Sequence, residues 1–376
     1  MNFDFDQDQD MLGDSVRKWV AKAYPFEHYL GVVKGGGTDA NDWQQMAELG
    51  LCALAIPEQH GGLGLGPVEA MLVAQELGAG MVCEPWAQVA LMASAVLRDH
   101  APLAMQAAWL PSIADGSKRV VMAITERAAR FNLGHISTTA SKNGDQWLIN
   151  GQKSLVAIAD HAQAFVVSAK IVHESGDKSI GLFLVQPSAC VLRRAYNVQD
   201  GSRAGEVTFD QASAQLICEN ALPALEHAVD IGIAALCAQA IGAMDKLYAI
   251  TLDYMNTRKQ FGVAIGTFQA LRHRVADMKM QLELARSMSY FATLKLTADH
   301  DERRYAMSAA KVQIGQSLRF VGQQSVQLHG GIAVTHEYIA GHYFKYLTTI
   351  EMSLGDSYHH LGEVSKRMTD SAGVFI

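Results

Sequence analysis

Thr257 to Met278 reads TRKQFGVAIGTFQALRHRVADM, and the rest of the chain can be ordered around this stretch. Its second half opens an apolar stripe, Leu271, Val275, Met278, Leu282 and Ala285, that steps by three and four and predicts one face of a helix. Its first half places a cation, Arg258, just ahead of Phe261 and Gly262, and a glycine there predicts a helix end. Further on, Ile314, Leu318, Val321 and Leu328 repeat the helical step. Long helices with short connections predict a helical bundle over residues 223–376.

Upstream the texture changes twice. Between 117 and 222 short apolar runs (Val120 to Thr125, Trp147 to Ile149, Phe165 to Ala169, Ile180 to Val185, Val207 to Phe209) alternate with turn formers. The turns expected are Asn143-Gly144-Asp145, Asn150-Gly151 and Ser175-Gly176-Asp177. This pattern predicts a compact β domain. Residues 1–116 read as helical again. Asp6, Asp8 and Asp10 suit the positive end of a first helix, and Met11, Leu12, Val16, Trp19 and Val20 supply its stripe. A second helix over Val68 to Leu77 is expected to stop at Gly78. Helices, strands and helices in series predict separate domains rather than one doubly wound sheet.

Composition narrows the function. Hydrophobic residues are 49% and charged residues 18%, enough to bury a large core. A formal charge of −7 opposes nucleic-acid binding, which needs a positive surface. No apolar stretch reads as a membrane span, and the acidic start MNFDFDQDQD lacks the pattern of a secretory signal. The five cysteines are scattered and form no CxxC pair, so reduced thiols and a cytoplasmic location are expected. There is no GxGxxG after a strand, no P-loop, no GxSxG and no metal-ligand spacing such as HExxH, so no metal site is expected.

Four segments resemble the acyl-CoA dehydrogenase family, and they span nearly the whole chain. The first is Trp43 to Gly64, with a Pro-Glu turn leading into Gly61-Gly62-Leu63-Gly64. The second is Met122 to Glu126 with Asn150 to Lys153, where Thr125 takes the place of a family threonine beside the flavin. The third is the stretch quoted above, and the fourth is Gln327-Leu328-His329-Gly330-Gly331. The resemblance implies a mainly α fold with an N-terminal helical domain, a middle β-barrel and a C-terminal four-helix bundle. It implies FAD as cofactor, with Arg258, Phe261, Gln269, Gln327, Gly330, Gly331 and Thr125 as contacts. A guanidinium suits a pyrophosphate because it offers paired, charge-assisted hydrogen bonds. The implied reaction is α,β-dehydrogenation of an acyl-CoA, with an electron-transfer flavoprotein as acceptor. The resemblance also implies an oligomer in which Arg258 and the two glycines reach one dinucleotide from adjoining protomers.

The chain departs from the family where the base should stand. Most members place a glutamate directly before a Gly-Thr near the C-terminus, and here that position is Leu354, with Asp356 at the threonine. The alternative position on the first long bundle helix is Gly232, followed by Ile233. Carboxylates near these places are Asp356, Glu351 and Asp230, each with a structural role as the competing reading. Leu155 and Ala157 replace an aromatic residue and a hydroxyl that flank the flavin in the family. The ending HYFKYLTTIEMSLGDSYHHL looks closest to the small subunit of pimeloyl-CoA dehydrogenase-like enzymes. That points to a homo-oligomer or a heteromer with a larger homologous chain, or alternatively to a non-catalytic subunit supporting an active partner.

Overall fold

The fold is described from a computed structural model, in which residues 5–144, 146–172 and 178–371 are placed. In chain order the helices are α1 (Gln7–Ala23), α2 (Phe26–Gly35), α3 (Ala40–Glu48), α4 (Pro67–Ala79), α5 (Ser94–His100), α6 (Leu103–Ala114), α7 (Leu222–Thr257), α8 (Gln269–Lys295), α9 (His300–His329), α10 (Ile339–Met352) and α11 (Ser357–Ser371). The strands are β1 (Val120–Ala123), β2 (Thr139–Asn143), β3 (Gln146–Ala157), β4 (Ala164–Val172), β5 (Lys178–Val185), β6 (Cys190–Asn197), β7 (Arg203–Cys218), β8 (Lys259–Gln260) and β9 (Val263–Ala264). A π-helical segment, Ala87–Ala93, precedes α5. The chain divides into two compact units: Met1–Leu30, Pro67–Val82 and Ile233–Ile376 form one, and Gly31–Gly66 with Cys83–Gly232 the other.

The first unit is helical, and its local rules are visible in the sequence. Asp6 caps α1 by accepting from the Gln9 amide, and Gln9 Oε1 accepts from the Asp6 amide in return, a capping box. The α8 stripe is buried as predicted at Val275, Met278, Leu282 and Ala285, and the α9 stripe at Ile314, Leu318, Val321 and Leu328. Helix α9 packs on α8, α10 and α11.

Two glycine readings change. Gly78 does not stop a helix; it lies inside α4, where a Cβ would stand 2.1 Å from the Gln239 carbonyl oxygen of α7. Gly242 of α7 answers it, with a Cβ there 1.8 Å from the Gln75 oxygen. Each helix presents a glycine at the other's backbone, so the two approach more closely than any side chain permits. Gly262 does not end a helix either, because α7 finishes at Thr257. The apolar length of α7 also revises the membrane reading. This helix is long and apolar enough to cross a bilayer, yet 78% of its most apolar window is buried inside the protein, the property of a core helix.

In the second unit β1 to β7 form one sheet among the described residues. Strands β4, β2, β3, β7 and β5 follow one another, and β5 pairs back onto β4, which closes a barrel; β1 flanks β4 and β6 flanks β7. Closure leaves outer edges only at the flanking strands β1 and β6 among the described residues, which limits pairing with another chain. Asn150-Gly151 is not a turn. It lies inside β3 at a register shift against β7, with Gly151 at φ 147° and the Thr138 side chain against its Cα. Gly144 makes the expected β2–β3 turn at φ 62°. Asp145 and the expected turn Ser175-Gly176-Asp177 lie outside the described residues. Strand β2 escaped the sequence reading because its exposed residues, Ser141, Lys142 and Asn143, are polar, and β6 escaped it too.

Candidate functional site

The end of α7 carries the cation of the quoted motif. Arg258 is exposed, and no hydrogen bond or ion pair engages its guanidinium among the described residues. Beyond it β8 and β9 form a hairpin closed by Phe261 (φ 51°) and Gly262 (φ 82°). Two successive left-handed residues match the twist of a two-residue hairpin. Glycine adopts that conformation freely, but phenylalanine does so at a cost of about 1 kcal/mol or more. The Phe261 ring is 91% exposed, its edge contact being Phe268 at 6.2 Å. Gln269 opens α8 and is exposed.

The end of α9 lies beside the end of α7. The His329 ring stands 4.5 Å from that of Tyr254, one turn before Arg258, and 5.2 Å from that of Tyr338. Its Nδ1–H donates to the Ser325 carbonyl at 2.8 Å, and burial pushes its pKa down, which keeps the ring neutral. Gly330 follows as the helix cap with φ 67°, and neither Gly330 nor Gly331 has an atom within 4 Å of where a Cβ would be. Gln327 is exposed on the same last turn. The Tyr254–His329 stack brings both helix ends together in a single chain. A free guanidinium beside open glycine backbone fits the pyrophosphate of a dinucleotide.

The turn after α10 holds the expected base position. Leu354 adopts φ 55° and Gly355 φ 112°. Glu351 is buried, and its Oε1 accepts from Arg319 at 2.9 Å, from the Ser357 amide at 3.1 Å and from Ser357 Oγ at 2.9 Å. Asp356 caps α11 by accepting from the His359 amide at 2.7 Å. Both carboxylates thus join helix ends. Asp230, on α7, is wholly buried and engaged by its neighbours.

In the β unit, Thr125 follows β1, and its carbonyl accepts from the Ser154 amide of β3 at 2.9 Å. The next residue, Glu126, is buried. Its carboxylate accepts from Lys153 Nζ (2.8 Å), Thr138 Oγ1 (2.7 Å), the Thr138 amide (3.1 Å) and the Ser137 amide (2.7 Å). Burial opposes its charge, but the Lys153 ammonium and these donors outweigh that and hold its pKa down at about 2. Lys153 is fully buried and also donates to Ser168 Oγ at 3.0 Å. A cavity of about 210 Å³ adjoins this pair, lined by Glu126, Arg127, Ser137, Gln152 and Ser154 among others. Sequence reasoning noticed Glu126 and Lys153 as parts of motifs and missed them as a pair. The available signal was a lysine inside a strand-forming run. Leu155 is 59% exposed with φ 54°, so no aromatic ring stands at that point of β3. No cluster of metal-ligating side chains occurs among the described residues.

These features belong to one known class. The family models for the acyl-CoA dehydrogenase N-terminal, middle and C-terminal domains match residues 6–117, 121–212 and 222–369. The chain belongs to the acyl-CoA dehydrogenase family. It is 30% identical over 356 residues to the acyl-CoA dehydrogenase FadE12 of Mycobacterium tuberculosis, covering 88% of each chain. Among solved structures, a variant of the Tcur3481-Tcur3483 steroid ACAD is 26% identical with a TM-score of 0.88, covering 97% of this chain and 99% of that one. An FAD-dependent dehydrogenase is 25% identical with a TM-score of 0.87, covering 98% and 100%. The mainly helical fold with a middle β-barrel is therefore that of the family, FAD is its cofactor, and α,β-dehydrogenation of an acyl-CoA is its reaction. Bound FAD supplies the hydride acceptor of that reaction.

Proposed function

We propose that this chain binds FAD and acts in acyl-CoA dehydrogenation as one subunit of a heteromer whose larger homologous chain supplies the proton acceptor. The observation that carries this reading is the contrast between the two helix ends. Arg258 stands free beside open glycines, ready for a pyrophosphate, whereas Leu354 offers no base and the nearby carboxylates are committed to helix ends. A leucine cannot take the α-proton, so the acyl-CoA is deprotonated by a group from elsewhere. The Tcur3481-Tcur3483 and ChsE4-ChsE5 names among its structural neighbours are those of two-chain assemblies, which suits the reading. An electron-transfer flavoprotein as acceptor, a cytoplasmic location with five free thiols, and kinship to pimeloyl-CoA-type small subunits are part of the same proposal.

The test is to purify the chain alone and titrate it with FAD. A yellow protein that acyl-CoA bleaches only after the larger chain is added supports the proposal. A chain that stays colourless with added FAD, or that turns over acyl-CoA unaided, refutes it. The competing reading, a scaffold without flavin, draws on Leu155 and Ala157, and the colourless outcome would favour it.

A further inference from the structure

The turn from α10 to α11 is held with more apparatus than a connection between two helices needs. Lys311, on α9 and 2% exposed, donates from Nζ to the Ile350 carbonyl at 2.6 Å and the Glu351 carbonyl at 3.0 Å. His360, also 2% exposed, lies 3.1 Å from the Leu354 carbonyl through Nε2 and 3.2 Å from Ser308 Oγ through Nδ1. A carbonyl only accepts, so Nε2 carries the proton and Nδ1 accepts from the serine. Gly355 has no room for a side chain, since a Cβ would meet His360 Nε2 at 2.4 Å. At Gly315 a Cβ would meet Ser357 Oγ at 2.1 Å, and Arg319 binds Glu351 at 2.9 Å.

Ser308, Lys311, Gly315 and Arg319 are spaced by three, four and four, so one stripe of α9 faces the turn. Burying a lysine and a histidine is costly, and apolar side chains of similar volume stabilise a helix junction as well or better. What such polar contacts add is geometry: they fix carbonyls and hence dihedrals. The dihedral they fix here is that of Leu354, a residue with no preference of its own for φ 55°.

We propose that Ser308, Lys311, Gly315, Arg319 and His360 form a positioning device for the residue at 354, and that the turn they hold can still aim a carboxylate from that position. The inference rests on the dehydrogenase reading above. It makes the chain a dehydrogenase lacking one functional group, with Lys311 and His360 as positioning residues.

The experiment compares wild type, L354E, L354Q and L354E with K311M, each loaded with FAD and mixed anaerobically with acyl-CoA. L354E is expected to reduce flavin at least about 100-fold faster than wild type or L354Q, the usual reach of a placed general base. Adding K311M should cut kcat about 10-fold or more at unchanged KM. Hydrogen exchange of residues 350–360 should match wild type in L354E and rise in K311M. A folded, FAD-loaded L354E no faster than L354Q overturns the proposal, as does a K311M that leaves both kcat and exchange unchanged. If wild type holds no FAD, the dehydrogenase reading fails, and the exchange measurement still decides the positioning role.

Discussion

Replacing Glu126 with glutamine tests whether the buried pair organises the β unit. The pair has unequal reserves. Without its charge partner Lys153 keeps only Ser168 Oγ, whereas Glu126 without Lys153 keeps both amides and the Thr138 hydroxyl. A glutamine amide nitrogen would also oppose one of the N–H donors that the carboxylate now accepts. Removing one member of a buried pair costs about 3–5 kcal/mol, so E126Q belongs in that range and K153M below it. The double variant E126Q/K153M should recover about 1–2 kcal/mol of the summed loss, because no unpaired charge remains. The lowered pKa of Glu126 points the same way, since the gap between about 2 and the ordinary 4.5 corresponds to roughly 3 kcal/mol. The folded-state pKa lies below the unfolded one. This stabilisation is therefore complete above about pH 4.5 and is lost as pH falls towards about 2. Denaturation of the four proteins at pH 7, with hydrogen exchange of β3 peptides as the local readout, measures the cycle. A coupling energy under about 1 kcal/mol, or a K153M more damaging than E126Q, would refute the reasoning.

Other outcomes follow from single contacts. Gly78→Ala or Gly242→Ala sets a methyl against the backbone of the facing helix and should cost about 2 kcal/mol or more, read as a fall in melting temperature. Arg258→Ala should weaken FAD binding about 10- to 100-fold by loss of charge-assisted bonds, measured by titrating flavin fluorescence; unchanged affinity would remove Arg258 from the site. Phe261→Asn relieves a left-handed phenylalanine and should raise the stability of the chain by about 0.5–1 kcal/mol, checked by urea denaturation, while weakening FAD binding. Burial, with Lys311 nearby, holds His360 neutral down to about pH 3, whereas the unfolded residue takes a proton near 6.5. Falling pH therefore favours unfolding across that interval. H360Q should flatten the dependence, and an unchanged pH profile of melting would assign it elsewhere.

Relatives and sequence agree on the family because the informative signals were local. Apolar stripes at three and four, the acidic run Asp6, Asp8 and Asp10 at a helix start, the alternation of strands and turns, and the spacing from Arg258 to Met278 each depend on a few neighbouring residues. The misread glycines show where locality ends. Gly78, Gly151 and Gly262 all look like turn or stop signals. One is a helix contact, one a bulge and one a hairpin tip, and each answer depends on what lies opposite.

The sequence by itself determined most of the segments that coil or extend, the family and the identity of the leucine at 354, because these rest on composition and short spacing. Tertiary structure alone decided that Glu126 meets Lys153, that Tyr254 and His329 join two helix ends in one chain, and that α9 clamps the turn at Leu354. Those contacts join residues tens of positions apart. Their energy comes from shared burial, which no short window of sequence contains.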